Sequence, residues 1–548
     1  MNFRQPLMMA ALIAAPAFAQ QEMPTVWTTH LDHKIQFTGT GDSAGISYAA
    51  SDKEISIFDN ATGKVIWTKA YKDIAPKLRK IDDLIPFWES NCIFLFDRKM
   101  GKDQMAVVNL QDGSSLWSTD AYQNITEDNV MYIKERDGFA IATKEGLHFV
   151  KARTGEETWS TAGFKGAAGR YKYLPDGNIV LVNFLPDGLS ALFAGFKSQI
   201  AKVNMDNGSI MWESTYVGRP ERKVLTREYL YSIDIVMDRD MLRINGVQVF
   251  DLNTGAKLWS AAFDFTPDRV VGRPGGAVKW GVYGAVAAPI IVGDDYYILD
   301  CESRKSQYLK KYDRRDGKLL WTSPEIPDAK AIPNMYVVDD QVILQIGGQV
   351  ETQAMIKHVD RGADGGTTVT YESRIEYVNV KPCGVKVFST VDGSMSWESE
   401  RFKKGITNLF PSDGKLYVCS GKSLYSIDIA AHKDLYEIPL GDDNIGLAEI
   451  ILPYKDKVAV VGEKGVSTHA LIDGKLVNSG KYKSSHLNAS VGNIVLMETD
   501  KQDVASFDLE TCKFMTYDAR RDALNFLTND GQYVYVYEKK DVTKVKTF

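Results

Sequence analysis

Apolar and polar residues alternate in short runs along most of the chain, and each run ends in a turn. In the first such unit, Ile55 and Ile57 alternate with Glu54 and Ser56. A period of two places apolar side chains on one face of a β-strand and polar side chains on the other. The pattern therefore predicts an all-β chain that is built from many short strands.

The turns share a phrase in which Asp or Asn precedes a Gly and a Trp stands four residues after that Gly. The clearest copies span residues 59–67 and 251–259. Asp or Asn caps a tight turn by accepting backbone N–H bonds, and Gly takes the left-handed conformation that closes it. We expect the Trp, on the outgoing strand, to cover the gap between neighbouring units. The seven tryptophans at this offset are Trp67, Trp117, Trp159, Trp212, Trp259, Trp321 and Trp397.

The phrase recurs with a regular period. Three weaker copies, near His432, Gly474 and Cys512, continue the register of the seven complete ones. The mean spacing from Gly63 to Cys512 is about 50 residues, close to the ~40–50 residues of a four-stranded propeller blade. Strand-like runs before each phrase supply the remaining strands. The sequence therefore predicts a β-propeller of four-stranded antiparallel blades.

The two ends of the chain complement each other. Strand-like runs at 524–528, 533–537 and 541–548 follow the last phrase without a fourth, and residues 25–29 carry Trp27 in the manner of a fourth strand. We expect this N-terminal strand to complete the C-terminal blade, which closes the ring and removes open strand edges. The count is then ten or eleven repeat units. Because propellers typically have about four to eight blades, one large ring and two smaller rings in tandem remain alternatives.

Residues 1–19 have the form of a secretory signal peptide. An apolar run at 7–15 precedes Ala-Phe-Ala at 17–19, the small-x-small pattern that signal peptidase cleaves. We expect cleavage before Gln20, so that residues 20–548 form the mature propeller. No Cys follows the run to carry a lipid anchor, and no later segment has the roughly 18 apolar residues that span a bilayer. The predicted location is the periplasm or the exterior of the cell.

Charge and candidate chemistry narrow the possible functions. The formal net charge is −6 and both signs are scattered without a basic stripe, which disfavours a nucleic-acid partner. The five cysteines lie far apart without a CxxC pair, and His30 and His33 have no third ligand nearby. No nucleophile signature is present. We therefore predict no catalytic residue, no metal site and no bound cofactor; disulfide pairing stays open.

The phrase Asp-x-x-Thr-Gly-x-x-x-Trp, at residues 59–67 and 251–259, resembles the repeat of the pyrroloquinoline-quinone-like (PQQ-like) propeller family. The resemblance covers nearly all of the chain after residue 19. It implies either a quinoprotein dehydrogenase, with quinone and calcium at the ring centre, or the non-catalytic branch that resembles the propeller of the outer-membrane barrel-assembly machinery. The dehydrogenases commonly place adjacent disulfide-bonded cysteines on the quinone, and this chain has no Cys-Cys pair.

We therefore predict a non-enzymatic scaffold that binds a protein partner in the bacterial cell envelope. The chain departs from the barrel-assembly pattern, because it lacks the lipid-anchor Cys and is longer than an eight-bladed ring requires. The alternative function is a quinone- or sugar-binding propeller, including a PQQ-dependent dehydrogenase-like enzyme.

Two stretches interrupt the repeat. Residues 183–198 are an apolar excursion that either forms an exposed partner-binding patch or folds back on the adjacent blade. The second stretch, at about 349–383, is typical of a long β-hairpin, which either adds a strand to a partner's sheet or lengthens the middle strands of its blade. The candidate partner-binding residues are Phe184, Leu185, Leu189, Leu192, Phe193 and Phe196.

Thermal unfolding with and without pyrroloquinoline quinone plus calcium tests the prediction that no cofactor binds. A ligand at roughly 100 times its Kd raises the free energy of unfolding by about 2.7 kcal/mol. We expect no rise in the Tm of the mature protein, because the chain lacks the quinone-stacking cysteines. A saturable rise would instead support the dehydrogenase alternative.

Overall fold

The chain forms strands almost throughout the part that the structure describes. The computed structural model describes residues 21–99, 103–126, 129–183, 195–216, 235–244, 248–260, 287–300, 306–327, 329–361, 367–399, 402, 405–441, 443–482, 486–498, 503–520 and 523–548, with the backbone alone at 169, 306, 351–361, 367–376 and 486. Short helical turns occur at Tyr71–Ile74 (α1) and, as 3-10 helices, at Trp88–Ser90 and Lys134–Arg136. Within these ranges, no helix combines the length and apolar character that crossing a membrane requires.

The strands, numbered β1 to β46 in chain order, form eleven four-stranded antiparallel blades. Blades 1 to 5 consist of β3 Phe37–Gly41, β4 Ile46–Ala50, β5 Glu54–Asp59 and β6 Val65–Ala70; β7 Asp83–Phe87, β8 Cys92–Asp97, β9 Gln104–Asn109 and β10 Ser115–Thr119; β11 Val130–Ile133, β12 Gly138–Ala142, β13 Leu147–Lys151 and β14 Glu157–Thr161; β15 Ala168–Tyr173, β16 Ile179–Asn183, β17 Ile200–Val203 and β18 Ile210–Ser214; and β19 Val236–Asp238, β20 Met241–Ile244, β21 Gln248–Asp251 and β22 Lys257–Ser260.

The remaining blades follow the same meander, in which each strand pairs with the next. Blades 6 to 11 consist of β23 Ile290–Val292, β24 Asp295–Asp300, β25 Ser306–Asp313 and β26 Leu319–Thr322; β28 Asn334–Val338, β29 Gln341–Arg361, β30 Thr367–Ser389 and β31 Met395–Glu398; β32 Phe410–Ser412, β33 Lys415–Ser420, β34 Ser423–Asp428 and β35 Lys433–Pro439; β36 Ala448–Tyr454, β37 Lys457–Gly462, β38 Gly465–Ala470 and β39 Leu476–Lys481; β40 His486–Val491, β41 Ile494–Glu498, β42 Val504–Asp508 and β43 Lys513–Tyr517; and β44 Leu524–Leu527, β45 Tyr533–Glu538, β46 Asp541–Lys546 and β2 Thr25–His30. Two short strands add to this set: β27 Ile326–Pro327 pairs with β25, and β1 Gln21–Glu22 runs parallel to β43.

The N-terminal strand β2 completes blade 11, which confirms the predicted closure. It pairs antiparallel with β46, so that Thr28 lies opposite Thr543 with their hydroxyl oxygens 3.2 Å apart. At the end of the same ladder, Nδ1 of His30 lies 2.6 Å from Oδ1 of Asp541. The last blade is thus assembled from both ends of the chain.

An apolar cluster fills each boundary between neighbouring blades. Ile57 of blade 1 shares one with Ile93 and Leu95 of blade 2, and Phe58 of blade 1 shares another with Tyr537 of blade 11. Eleven such clusters join every blade to the next and the last blade to the first. Of the two predicted arrangements, the structure therefore has the single ring, with eleven blades.

Six of the seven tryptophans of the repeat phrase lie on the glycine of the next blade. The indole of Trp159 covers Gly208, which has a φ of +73°, so closely that a Cβ there would overlap the ring atom Cε3. The Trp159 indole N–H also donates to the carbonyl oxygen of Met205 at 2.8 Å. Both the left-handed turn and the close approach of the ring require Gly at position 208.

The same contact recurs around the ring, including at the closing blade. In five further pairs, the indole N–H donates to the carbonyl oxygen three residues before the Gly, at 2.9 to 3.3 Å. With Trp159, six of the seven pairs have this hydrogen bond, whereas the indole N–H of Trp259 has no partner among the described residues. The seven ring contacts are Trp27 on Gly63, Trp67 on Gly113, Trp117 on Gly155, Trp159 on Gly208, Trp212 on Gly255, Trp259 on Gly317 and Trp321 on Gly393.

Two of the weaker copies keep this contact with different side chains. Tyr436 takes the place of Trp over Gly474, and its hydroxyl donates to the Leu471 carbonyl oxygen at 3.2 Å. In blade 8, His432 stands where Gly is expected, and its ring stacks on Trp397 with 5.3 Å between centroids and 6° between planes. An aromatic ring therefore covers the turn of the next blade in these units too.

The first strand of each blade faces the ring axis and the fourth strand forms the rim. Blades radiate from the axis, so the gap between them widens outwards, and the large indoles that fill this gap lie on the fourth strands. First strands of neighbouring blades approach one another, as β23 does with β28 and β32 with β36.

Blade 7 carries the hairpin that the sequence predicts at about 349–383. Its strands β29 and β30 are the second and third strands of the blade, and they stay paired out to Arg361 and Thr367. The middle strands of the blade are therefore lengthened, and addition of a strand to a partner's sheet stays a prediction. We call residues 348–361 and 367–380, beyond a register shift in this pair, the arm.

The described cysteines are free thiols. Cys92, Cys383, Cys419 and Cys512 form no disulfide, and Cys301 lies outside the described residues. Burial raises the pKa of the Cys92 and Cys419 thiols above the ordinary value. Because the thiolate is the reactive form, these two cysteines are packing residues rather than nucleophiles.

Gly208→Ala tests the contact between blades. We expect this substitution to lower the free energy of unfolding by more than Gly414→Ala does. Denaturant titration of both variants measures the two losses. Gly414 has a φ of +70° with no atom within 4 Å of a built Cβ, so Ala there costs only the left-handed conformation, about 1–2 kcal/mol. Ala at position 208 must also displace Trp159, which adds about 1–3 kcal/mol. Equal losses would contradict the role given to the tryptophan.

Candidate functional site

The two faces of the ring carry connections of different length. Because neighbouring strands are antiparallel, the first-to-second and third-to-fourth connections open on one face, and the second-to-third and inter-blade connections open on the other. On the first face the connections have two to six residues. On the second they include residues 261–289, between β22 and β23. We call the second one the loop face and the first one the short-turn face.

The long connections of the loop face gather on blades 4 to 7. Residues 184–199 separate β16 from β17, residues 215–235 separate β18 from β19, and the arm extends from blade 7. Binding and catalytic groups are concentrated on segments that interrupt a rigid scaffold. This arc of the loop face is therefore the candidate functional site.

Only one of the predicted partner-binding residues lies in the described part of this arc. Phe196 is half-buried, and its ring packs on Gly166, where a Cβ would lie 2.5 Å from Cε2 of the ring. This side chain folds back on the connection between blades 3 and 4. The candidates outside the described residues are Phe184, Leu185, Leu189, Leu192 and Phe193.

A buried amide holds the loops of blade 4 in place. Asn183, the last residue of β16, is fully buried. Its Nδ2 donates to the carbonyl oxygens of Lys165 at 2.9 Å and Lys197 at 2.8 Å, and its Oδ1 accepts the N–H of Gln199 at 2.8 Å. Its own carbonyl oxygen accepts the hydroxyl of Tyr216. One side chain thus fixes two separate connections of the loop face.

A cavity of about 520 Å³ lies between these connections. Residues 162, 163 and 165 line one side, 195–199 a second and 213–215 a third. The side-chain amide of Gln199 donates to the Gly163 carbonyl oxygen at 2.6 Å and to the Glu213 carboxylate at 2.8 Å, which ties the three sides together. The cavity is open to solvent, and its lining is part polar and part apolar.

The groups around the cavity suit a polar chain segment. Ser198, Ser214 and Thr215 offer hydroxyls, Lys165 and Lys197 offer cationic donors, and Phe196 adds an apolar wall. A few placed polar groups beside an aromatic side chain are typical of a recognition pocket. The arrangement can hold an acidic or hydroxyl-bearing side chain of a partner.

A buried charge network joins blades 5 and 6 on the short-turn face. Arg314 Nε donates to Asp238 Oδ2 at 2.7 Å, and Arg243 Nη2 lies 3.0 Å from the same oxygen. The hydrogen bond from Arg314 holds the pKa of the Asp238 carboxyl below its usual value. Because the buried Asp238 carboxylate lies between guanidinium groups of both blades, this network belongs to the boundary between the blades.

Blade 9 brings together a serine, a histidine and an aspartate that lie apart in the sequence. Nε2 of His469 lies 3.0 Å from both Asp443 Oδ2 and Ser467 Oγ, and Nδ1 lies 3.0 Å from the Gly474 carbonyl oxygen. A nucleophilic triad requires the serine and the carboxylate on opposite ring nitrogens. Here both meet the same nitrogen, and all three side chains are buried. The cluster therefore holds the blade together and does not form a hydrolytic site.

The aspartates of the turns serve as caps. Asp59 accepts the backbone N–H of Thr62 at 2.8 Å and its hydroxyl at 2.7 Å, and these bonds lower the pKa of the carboxyl. Of the two neighbouring histidines, His30 meets Asp541, while His33 Nε2 lies 2.8 Å from the Ser56 hydroxyl. In the part of the chain that the structure describes, no three His, Cys, Asp or Glu side chains gather as metal ligands.

Residues 24–261 match the sequence model of the family described as outer membrane protein assembly factor BamB. This stretch is somewhat under half of the chain, and it confirms the resemblance to PQQ-like propeller repeats that the sequence predicts. No curated protein sequence matches the chain significantly.

Many solved structures match the fold at low sequence identity. The designed protein Ika8 is 11% identical, with 89% of this chain and 99% of that chain covered and a TM-score of 0.30. BamB from Moraxella catarrhalis is 13% identical, with 80% and 97% covered and a TM-score of 0.26. A eukaryotic initiation factor is 11% identical, with 68% and 89% covered and a TM-score of 0.34. Similarity at this level carries no functional conclusion.

Asn183→Ala tests the amide that orders the candidate site. We expect the free energy of unfolding to fall by about 1–3 kcal/mol, because backbone groups of Lys165, Lys197 and Gln199 lose their buried partner. Asn178→Ala, in a short turn at the opposite end of the same blade, is the matched control and should stay within about 0.5 kcal/mol of the parent. The free energies of unfolding are measured by chemical denaturation of both variants. If Asn183→Ala and Asn178→Ala are equally stable, the role given to Asn183 is wrong.

Proposed function

We propose that the chain is an exported, non-enzymatic propeller that binds a protein partner through its loop face and acts as a scaffold in the bacterial cell envelope. The observation that carries the proposal is the unequal length of connections on the two faces, with the long ones gathered on blades 4 to 7. The family matched by residues 24–261 is described as an outer membrane protein assembly factor, which agrees with such a role.

The size of the site favours a macromolecular partner. A stable protein interface buries roughly 800 Å² on each partner, contributed by about 20–30 residues. The cavity is lined by eleven residues, fewer than such an interface contains, so we assign it to one anchoring side chain within a larger contact.

The chemistry of the cavity favours an acidic or hydroxyl-rich anchor. Lys165 and Lys197 stand on two different sides, and the Gln199 amide spans the third. Charged groups at the edge of an interface chiefly accelerate association and select the partner. We therefore expect the association to weaken as the salt concentration rises.

Export is the remaining part of the proposal. It rests on the signal-peptide pattern of residues 1–19, with cleavage before Gln20. The partner should accordingly be found in the periplasmic fraction of the cell or on its exterior.

Site-specific photo-crosslinking in bacterial cells tests both parts of the proposal. A photo-reactive amino acid replaces Lys197, which is exposed beside the cavity, or Val391, which is 78% exposed in a short turn of blade 7. After irradiation, we expect a covalent protein adduct from position 197 in the periplasmic fraction and none from position 391.

The control position makes the result specific to one face. An adduct from Val391 alone would place the partner on the short-turn face and contradict the proposal. The same adduct from both positions would indicate non-specific contact. Retention of the unprocessed chain in the cytoplasm would contradict export.

A further inference from the structure

The arm of blade 7 leaves its blade through a sharp bend. Ile346 pairs with Gly384, but the next pair is Gly348 with Val380, so three residues of β30 oppose one of β29. Such a bulge bends a strand pair. Gly347 has a φ of +54°, and a Cβ there would overlap the carbonyl oxygen of Pro382. The glycine therefore makes the bend possible.

Contacts at the base fix the direction of the arm. The backbone N–H of Gln349 donates to the Ile406 carbonyl oxygen at 2.6 Å, on the connection between blades 7 and 8. Val350, which is 2% exposed, packs with Ala331, Val378 and Val380. The arm is thus held between the two connections that flank blade 7.

The far side of the arm reaches blades that are not neighbours of blade 7. Strand β30 lies against β40, the first strand of blade 10. Tyr377 of the arm packs on the cluster between blades 9 and 10, which includes Tyr482 and Leu487. Because first strands line the axis, a contact between blades 7 and 10 must cross the central opening on the loop face.

The boundary that the arm reaches lacks the tryptophan contact found elsewhere. Asn478 occupies the tryptophan position of blade 9, and Cys512 stands at the glycine position of blade 10. The Asn478 amide donates to the Cys512 carbonyl oxygen, which is a different acceptor from that of the indoles, and Asn478 does not supply the area of an aromatic ring. This boundary is therefore one where additional packing has the greatest effect.

We propose that the arm is an internal strap that crosses the central opening, covers part of its mouth on the loop face and stabilises the boundary between blades 9 and 10. In a ring where each unit contacts only its neighbours, the stability of the whole depends on each boundary between units. With eleven blades, the opening is wider than in the usual rings of about four to eight. A contact across the opening joins parts of the ring that the repeat alone leaves unconnected.

Hydrogen exchange of the mature protein tests the strap, with two variants that remove its contact. In the first, residues 347–383 are replaced by Asn-Gly, which joins Ile346 to Gly384 and leaves the four strands of blade 7 in place. In the second, Tyr377→Ala removes the side chain that packs on blades 9 and 10. We expect the amides of β40 to exchange roughly tenfold faster in both, because their local opening becomes easier.

Tyr171→Ala is the matched control. Tyr171 lies on β15, the first strand of blade 4, and its hydroxyl donates to the carbonyl oxygen of Tyr132 in blade 3 at 2.8 Å. We expect exchange in β40 to stay at the parent rate in this variant. If the amides of β40 exchange at the parent rate in Tyr377→Ala, the proposal that the arm is a strap is wrong. This variant tests the proposal even if the deletion variant does not fold. The outcome is independent of whether the loop face binds a partner.

Discussion

The contact between a tryptophan of one blade and the glycine of the next is the interaction on which the ring depends. A blade is a sheet with two apolar faces, and it cannot bury them without neighbours. The indole fills the widening gap at the rim, and its N–H meets a carbonyl oxygen of the next turn. At the closing blade, Trp27 and Lys544 both donate to the Asn60 carbonyl oxygen, at 3.3 and 2.8 Å. One contact thus sets the spacing, the register and the closure of the ring.

Where this contact is lost, other segments of the chain take its place. The boundary between blades 9 and 10 has Asn478 at the tryptophan position and receives Tyr377 from the arm. At the next boundary, the N-terminal segment adds β1 to blade 10, and Met23, 1% exposed, enters the cluster between blades 10 and 11. The extra segments therefore lie at the boundaries where the repeat has lost its tryptophan. This indicates that the ring needs packing of comparable extent at each boundary.

The sequence predicted those features that depend on side chains at fixed offsets. The turn phrase identified the blades because its Gly and Trp are needed for the same physical reason in every unit, and Trp27 identified the closing strand. The Asn183 amide gave no such signal, since its partners are backbone groups of Lys165, Lys197 and Gln199. Likewise, the hairpin of blade 7 was recognisable from its alternation, but its path depends on the bend at Gly347, which alternation does not encode.

The asymmetry of the two faces follows from the same contact. Turns on the short-turn face hold the capping aspartates and the glycines under the indoles, so their length and residues are fixed by the need to close the ring. Connections on the loop face make no contact that the repeat requires, and lengthening a loop costs only about 0.6 kcal/mol per doubling. Long connections therefore accumulate on that face alone. Blades 4 to 7 keep an indole at each of their boundaries, from Trp159 to Trp397. The long connections therefore lie where the ring retains its tryptophans, whereas the eroded blades 9 to 11 are packed by the arm and the N-terminal segment.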